Sequence, residues 1–148
     1  MSNFSGPVHY SAWPGSADYY GNTRPDLLIA ASIAVRVFNL TRDVPLILHG
    51  RLADNFWLRL RGLLGSAPLQ SGEGLVLVGE KSIHTLFMGF PIDVLYVDNR
   101  LQVIRATENM VPYRLGPLVT RCHYVLEMPV GTIAQTSTQI GDQLKFEY

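Results

Sequence analysis

Apolar and polar positions alternate with a period of two over much of the chain. Tyr124, Leu126 and Met128 alternate with His123, Val125 and Glu127, and Leu144, Phe146 and Tyr148 alternate with Lys145 and Glu147. Successive side chains of an extended backbone leave opposite faces, so each run predicts a strand with one buried stripe. Ile33–Leu40 and Val44–Arg51 are two further strand-like runs, and Thr41-Arg42-Asp43 between them predicts a hairpin. Leu75–Val78 reads as a short buried strand. Ile92–Asp98, a continuous run of β-branched and aromatic residues, reads as a central one. A tight turn is expected at Asp98-Asn99-Arg100, with Asn99 in the left-handed backbone, before Leu101–Thr107 returns as the partner strand.

The period changes over Ala53–Leu64. Phe56, Trp57, Leu60, Leu63 and Leu64 fall on one helical face, with Asp54 as cap and Gly65 as terminator. One short helix is predicted there. Residues 1–24 are rich in Gly, Ser, Pro and Tyr without a period and read as a flexible tail, or as an arm whose aromatics dock on the body or a partner. Ser66–Gly74 and Gly131–Gly141 read as polar loops. Glu108–Arg121, with Pro112 and Gly116-Pro117, is a long connection of the kind that borders functional surfaces. The expectation is a mainly β sandwich or barrel with one short helix, forming a single globular domain over residues 25–148.

Charge then narrows the function classes. Twelve basic residues balance twelve acidic ones, so no net field draws the chain to nucleic acid or an anionic membrane. The single cysteine, Cys122, excludes an internal disulfide framework and fits a reducing, cytoplasmic setting. Leu27–Val35 is too short to span a bilayer and has no charged leader before it. No metal or other cofactor is expected. Cys122 and His123 are adjacent and would face apart on a strand, and His9, His49 and His84 have no ligand spacing. No Gly-rich phosphate loop and no nucleophile elbow is present.

SIHTLFM-x-FPIDVLYVD (Ser82–Asp98), Pro112-x-Arg114-x-Gly116, VLEMPVGT (Val125–Thr132) and Gly141-Asp142 follow one another in order. With FNLTR (Phe38–Arg42) and RLRGLLG (Arg59–Gly65) they resemble the family called domain of unknown function 192, over roughly residues 33–148. The resemblance implies a compact, mainly β, jelly-roll-like domain of bacteria and archaea without an assigned activity. This chain departs from the family's pattern at Gly89, at Gly79-Glu80 and at Tyr113, where relatives often carry a basic residue, Pro-Cys and Trp.

The ionisable residues inside the apolar strands are the candidates for chemistry. His84 would be a base or ligand at a pocket lip, or a half-buried histidine bonded to the backbone. In an extended segment it would share a face with Leu86, Met88 and Phe90, and Met88 would fill core space or line the pocket. Asp93, at the start of a strand, must find N–H donors or a cation. Arg114 offers a guanidinium to an anion or pins its own loop. Glu127 would be solvated, or a partner of Arg114. Two functions follow. In the first, the chain is a non-catalytic binding domain for a small ligand or protein partner, with His84, Met88, Asp93, Arg114 and Glu127 at one site. In the second it is a small carbohydrate or peptide hydrolase using His84, or Asp93 and Glu127, as acid and base. The carboxylate pair requires oxygens about 5 to 10 Å apart across a cleft.

Overall fold

The structure, a computed structural model, describes residues 33–53 and 67–148. Within them the predicted strands form β1 (Ile33–Asn39), β2 (Val44–Ala53), β3 (Glu73–Val78), β4 (Ile92–Val97), β5 (Val103–Met110), β6 (Tyr124–Pro129) and β7 (Leu144–Glu147). The expected β1–β2 hairpin is antiparallel. All seven strands belong to one sheet in the order β5-β4-β6-β3-β2-β1-β7, rather than to the two facing sheets of a jelly-roll sandwich. β2 and β3 run parallel, and the connection between them has the length that a crossover needs.

The sheet curls until its two edges meet. Leu144 N–H donates to Leu101 O (2.8 Å), and Val103 N–H donates to Asp142 O (2.9 Å). Inside the curl lies a core to which both edge strands contribute: Val103 from β5 and Leu144 from β7 join Val37, Ile47, Val76, Leu95, Leu126 and Met128. A second core covers the convex face. Here Leu75, Leu77, Ile92, Val94, Tyr96 and Val125 pack under Ile83, Met88, Phe90 and Cys122 from two long loops. Every residue of β4 is buried because both of its faces are covered, which is why its sequence does not alternate.

Several expectations change in three dimensions. The predicted helix lies, apart from Ala53 at the end of β2, outside the described residues, as does the N-terminal tail. The helix among the described residues is α1 (Thr132–Thr136), set in the predicted polar loop between Gly131 and Ser137, both in left-handed backbone. In the β4–β5 turn it is Leu101, not Asn99, that takes a positive φ (61°). Asp98 Oδ1 accepts N–H bonds from Arg100 and Gln102 (2.9 Å each), which tightens the turn one residue further along. Tyr148 lies past the end of β7 and is exposed rather than inward. The SIHT segment is extended only as far as Thr85: it pairs across the His84–Leu115 bridge and then turns at Leu86-Phe87, so the buried Met88 and Phe90 do not share a face with the exposed His84.

Candidate functional site

The long connection 111–123 folds back on the SIHT loop, and Thr85 joins them. Its N–H donates to Arg114 O (2.9 Å), and its carbonyl accepts from Tyr113 N–H (2.9 Å). Its hydroxyl donates to Val111 O (2.7 Å) and accepts from Arg114 N–H (3.0 Å). Gly116 N–H to Ile83 O (2.7 Å) and Val119 N–H to Lys81 O (2.7 Å) continue the pairing. Thr85 is fully buried, so a threonine hydroxyl here uses both of its bonding capacities and rigidifies two loops at once.

The tip of this double loop is apolar and exposed. Phe87 is 74% exposed, Tyr113 61% and Leu115 76%, and the Phe87 and Tyr113 rings meet edge to face with centroids 6.1 Å apart. Both aromatics sit in left-handed backbone, at φ 62° and 60°. Phe87 is the third residue of the turn closed by Met88 N–H to Thr85 O (3.2 Å), a place that ordinarily takes Gly or Asn. A bulky residue at positive φ costs about 1 to 3 kcal/mol and persists where the surroundings enforce it. The strain holds two rings in solvent.

His84 and Arg114 lie on the two opposing loop strands and both are exposed; His84 bridges Leu115, whereas Arg114 is paired with Thr85. Arg114 makes one long bond, Nη1 to Tyr113 O (3.5 Å). Met88 is buried in the convex core. Glu127 is also on the convex face: it pairs with Val94 of β4 and Leu75 of β3, both in that core. Asp93 pairs with Met128 of the inner core, so its side chain leaves the other side of the sheet. Asp93 and Glu127 therefore do not face one cleft, and the five candidates do not converge on one point.

Asp93 is fully occupied by backbone. Oδ1 accepts from Asn109 N–H (2.9 Å), where two residues of β5 bulge opposite it, and Oδ2 accepts from Ile133 N–H (2.9 Å) in the first turn of α1. The carboxylate thus ties a bulge to a helix start. Glu127 is the opposite case. It is buried, Oε2 has no hydrogen-bond partner, and burial pushes its carboxyl up to about 8. On the same face, one pair further along, the Tyr96 hydroxyl is also buried without a partner. Burial, then the neighbouring Cys122, pushes that phenol up to about 12. A Cβ placed on Gly116 would stand 2.7 Å from Tyr96 Oη and 2.9 Å from Ile83 O, so the ridge rests directly on this hydroxyl. Cys122 Sγ lies 3.1 Å from Tyr124 O, and burial raises its thiol. The thiol is buried and free of a disulfide.

Sequence reasoning missed Tyr96, Phe87 and Tyr113. A tyrosine in a β-rich run signals only a strand, and nothing in the sequence marks a non-glycine residue at positive φ. Among the described residues no group of three or more His, Cys, Asp or Glu is placed to hold a metal, and no helix is long and apolar enough to cross a membrane.

The family model DUF192, described as an uncharacterized ACR family, matches residues 40–146. A UPF0127 protein of Thermococcus sibiricus is 31% identical over 101 residues, which are 66% of this chain and 65% of that protein. The chain thus spans about two thirds of that relative's length. A UPF0127 protein of Pyrococcus furiosus is 28% identical over 113 residues, 74% of this chain and 97% of the relative. Among solved structures, a protein of unknown function from Novosphingobium aromaticivorans superposes with a TM-score of 0.67 at 20% identity, covering 84% of this chain and 99% of the other. A putative transcription regulator from Sinorhizobium meliloti gives 0.64 at 21% identity, covering 78% and 94%. At these identities the two structures share the fold.

Proposed function

The chain belongs to the DUF192 family, and from that premise and the geometry of the double-loop ridge we propose that it is a non-catalytic binding domain for a peptide segment of a protein partner. The observation that carries this reading is the exposed Phe87–Tyr113 pair, held in left-handed backbone on loops pinned through Thr85. Rigid exposed aromatics lose little entropy on association and are the side chains on which interface energy concentrates. Leu115 is a third exposed apolar side chain on these loops, His84 is exposed across from it, and Arg114, with Nη1 3.5 Å from Tyr113 O, places a cation beside Tyr113. The complementary segment has an apolar anchor next to an acidic residue. A projecting ridge covers too little of a small molecule to hold it, whereas a peptide can wrap it.

The test is a selection of displayed random peptides on the whole protein, followed by affinity measurement. Peptides combining an aromatic or aliphatic anchor with Asp or Glu are expected. They lose at least about tenfold in affinity on Phe87→Ser/Tyr113→Ser, and less on Arg114→Ala. Recovery of no binders, or of binders indifferent to the double substitution, overturns the reading.

A further inference from the structure

At the end of the sheet away from β7's free terminus, three separate stretches of chain close around an open concavity of about 530 Å³. Lys81 enters from the SIHT loop, Asp98 and Arg100 from the β4–β5 turn, and Thr120, Arg121 and His123 from the run into β6. None of the three cations, Lys81, Arg100 and Arg121, is near another in sequence. Folding gathers them from a chain whose charges otherwise cancel.

The frame is rigid. His123 N–H donates to Val97 O (2.8 Å), and Gly79 N–H donates to His123 O (2.8 Å). Asp98, the one carboxylate in the lining, is largely spent: Oδ1 accepts from the Arg100 and Gln102 amides, and Oδ2 stands 4.0 Å from Arg121. Arg121 remains 79% exposed at that distance, so its donors are not saturated. Among the described residues, Lys81 and Arg100 have no carboxylate partner. Three cations and one committed anion leave an excess of two positive charges facing a polar hollow of the size that holds small ligands.

We propose that this hollow is a binding site for a small multiply charged oxyanion, a phosphoryl or polycarboxylate compound. Arg100 and Arg121 supply planar forks, Lys81 a point charge, and Thr120 a hydroxyl at the rim. The proposed binding is without covalent chemistry; Cys122 in the wall is buried, with Sγ 3.1 Å from Tyr124 O. The proposal goes beyond the ridge reading and does not depend on it.

The experiment is a titration of the whole protein with inorganic pyrophosphate in one arm and citrate in the other, followed by amide chemical shifts. Saturable shifts centred on residues 98–101 and 119–123 are expected in at least one arm, and their arm identifies the phosphoryl or the carboxylate source. The double variant R100E/R121E loses at least about tenfold in affinity, while Arg36→Ala, a cation on β1, leaves it unchanged. The spectrum of R100E/R121E reports its fold directly, and the milder Lys81→Ala gives a second, smaller loss. Shifts that fail to saturate by about 10 mM, that survive in R100E/R121E, or that arise with duplex DNA and with neither small anion overturn the proposal.

Discussion

The two faces of the sheet treat buried acids in opposite ways. On the inner side Asp93 has both oxygens filled by backbone N–H groups. Near the seam where the edges meet, Asp142 Oδ2 accepts from Asn39 Nδ2 (2.9 Å), Arg42 Nε (3.0 Å) and Gln139 N–H (2.9 Å). Burial alone would raise Asp142, but the bonds from Arg42, Asn39 and Gln139 hold it below the usual carboxylate range. On the convex side Glu127 Oε2 and Tyr96 Oη are buried with no partner. Burial is similar on the two faces, so supply of donors makes the difference. Acids set against bulges, turns and helix starts find free N–H groups, whereas Glu127 lies mid-ladder, where the backbone amides already serve neighbouring strands.

The largest effect that would break this contrast is on pH. The Glu127 carboxyl ionises near 4.5 when unfolded and at about 8 when folded. Between those values the unfolded chain releases a proton that the folded one keeps, so stability falls as pH rises through the window. The loss is at most about 5 kcal/mol. Urea midpoints from pH 4.5 to 8.5 should show this decline in the wild type and a flattened profile in Glu127→Gln. Identical slopes would mean that Glu127 is solvated or paired.

Asp93→Ala should come next, costing about 3 kcal/mol by leaving the Asn109 and Ile133 amides unsatisfied. Denaturant unfolding measures it, and a cost under about 1 kcal/mol would show that those amides are served otherwise. Gly116→Ala should cost about 2 kcal/mol, because its methyl meets the Ile83 carbonyl as well as the Tyr96 hydroxyl, and a backbone oxygen cannot swing away. A neutral result would show that the ridge floats over the convex core instead of resting on it. Smallest is Phe87→Gly, which releases the left-handed strain and removes an exposed ring. Melting should shift by less than about 1 kcal/mol of stability in either direction, while affinity for ridge-selected peptides falls.

The strands β6 and β7, the hairpin at Thr41-Arg42-Asp43 and the unbroken run of β4 could be read directly, since strand period and turn chemistry are local properties. The single buried stripe expected of β6 is corrected: Val125 and Glu127 are buried as well as Leu126 and Met128, because loops cover the convex face. α1 could not: five residues between Gly131 and Ser137 carry too little periodicity to stand out. The candidate residues were legible as types but not as a site. The sequence places Asp93 and Glu127 in strands, and their opposite orientations depend on the β4–β6 register, which no local signal contains.

By itself, then, the sequence determined that this is a β protein of the DUF192 family whose ionisable groups recur in apolar strands. Tertiary structure alone decided that one sheet curls on itself and that Asp93 is bonded while Glu127 is stranded. It also set two aromatics into solvent and gathered Lys81, Arg100 and Arg121 into one hollow. The physical reason is range. Period and turn preference act over a few residues, but donors, faces and charge clusters are fixed by contacts between segments tens of residues apart.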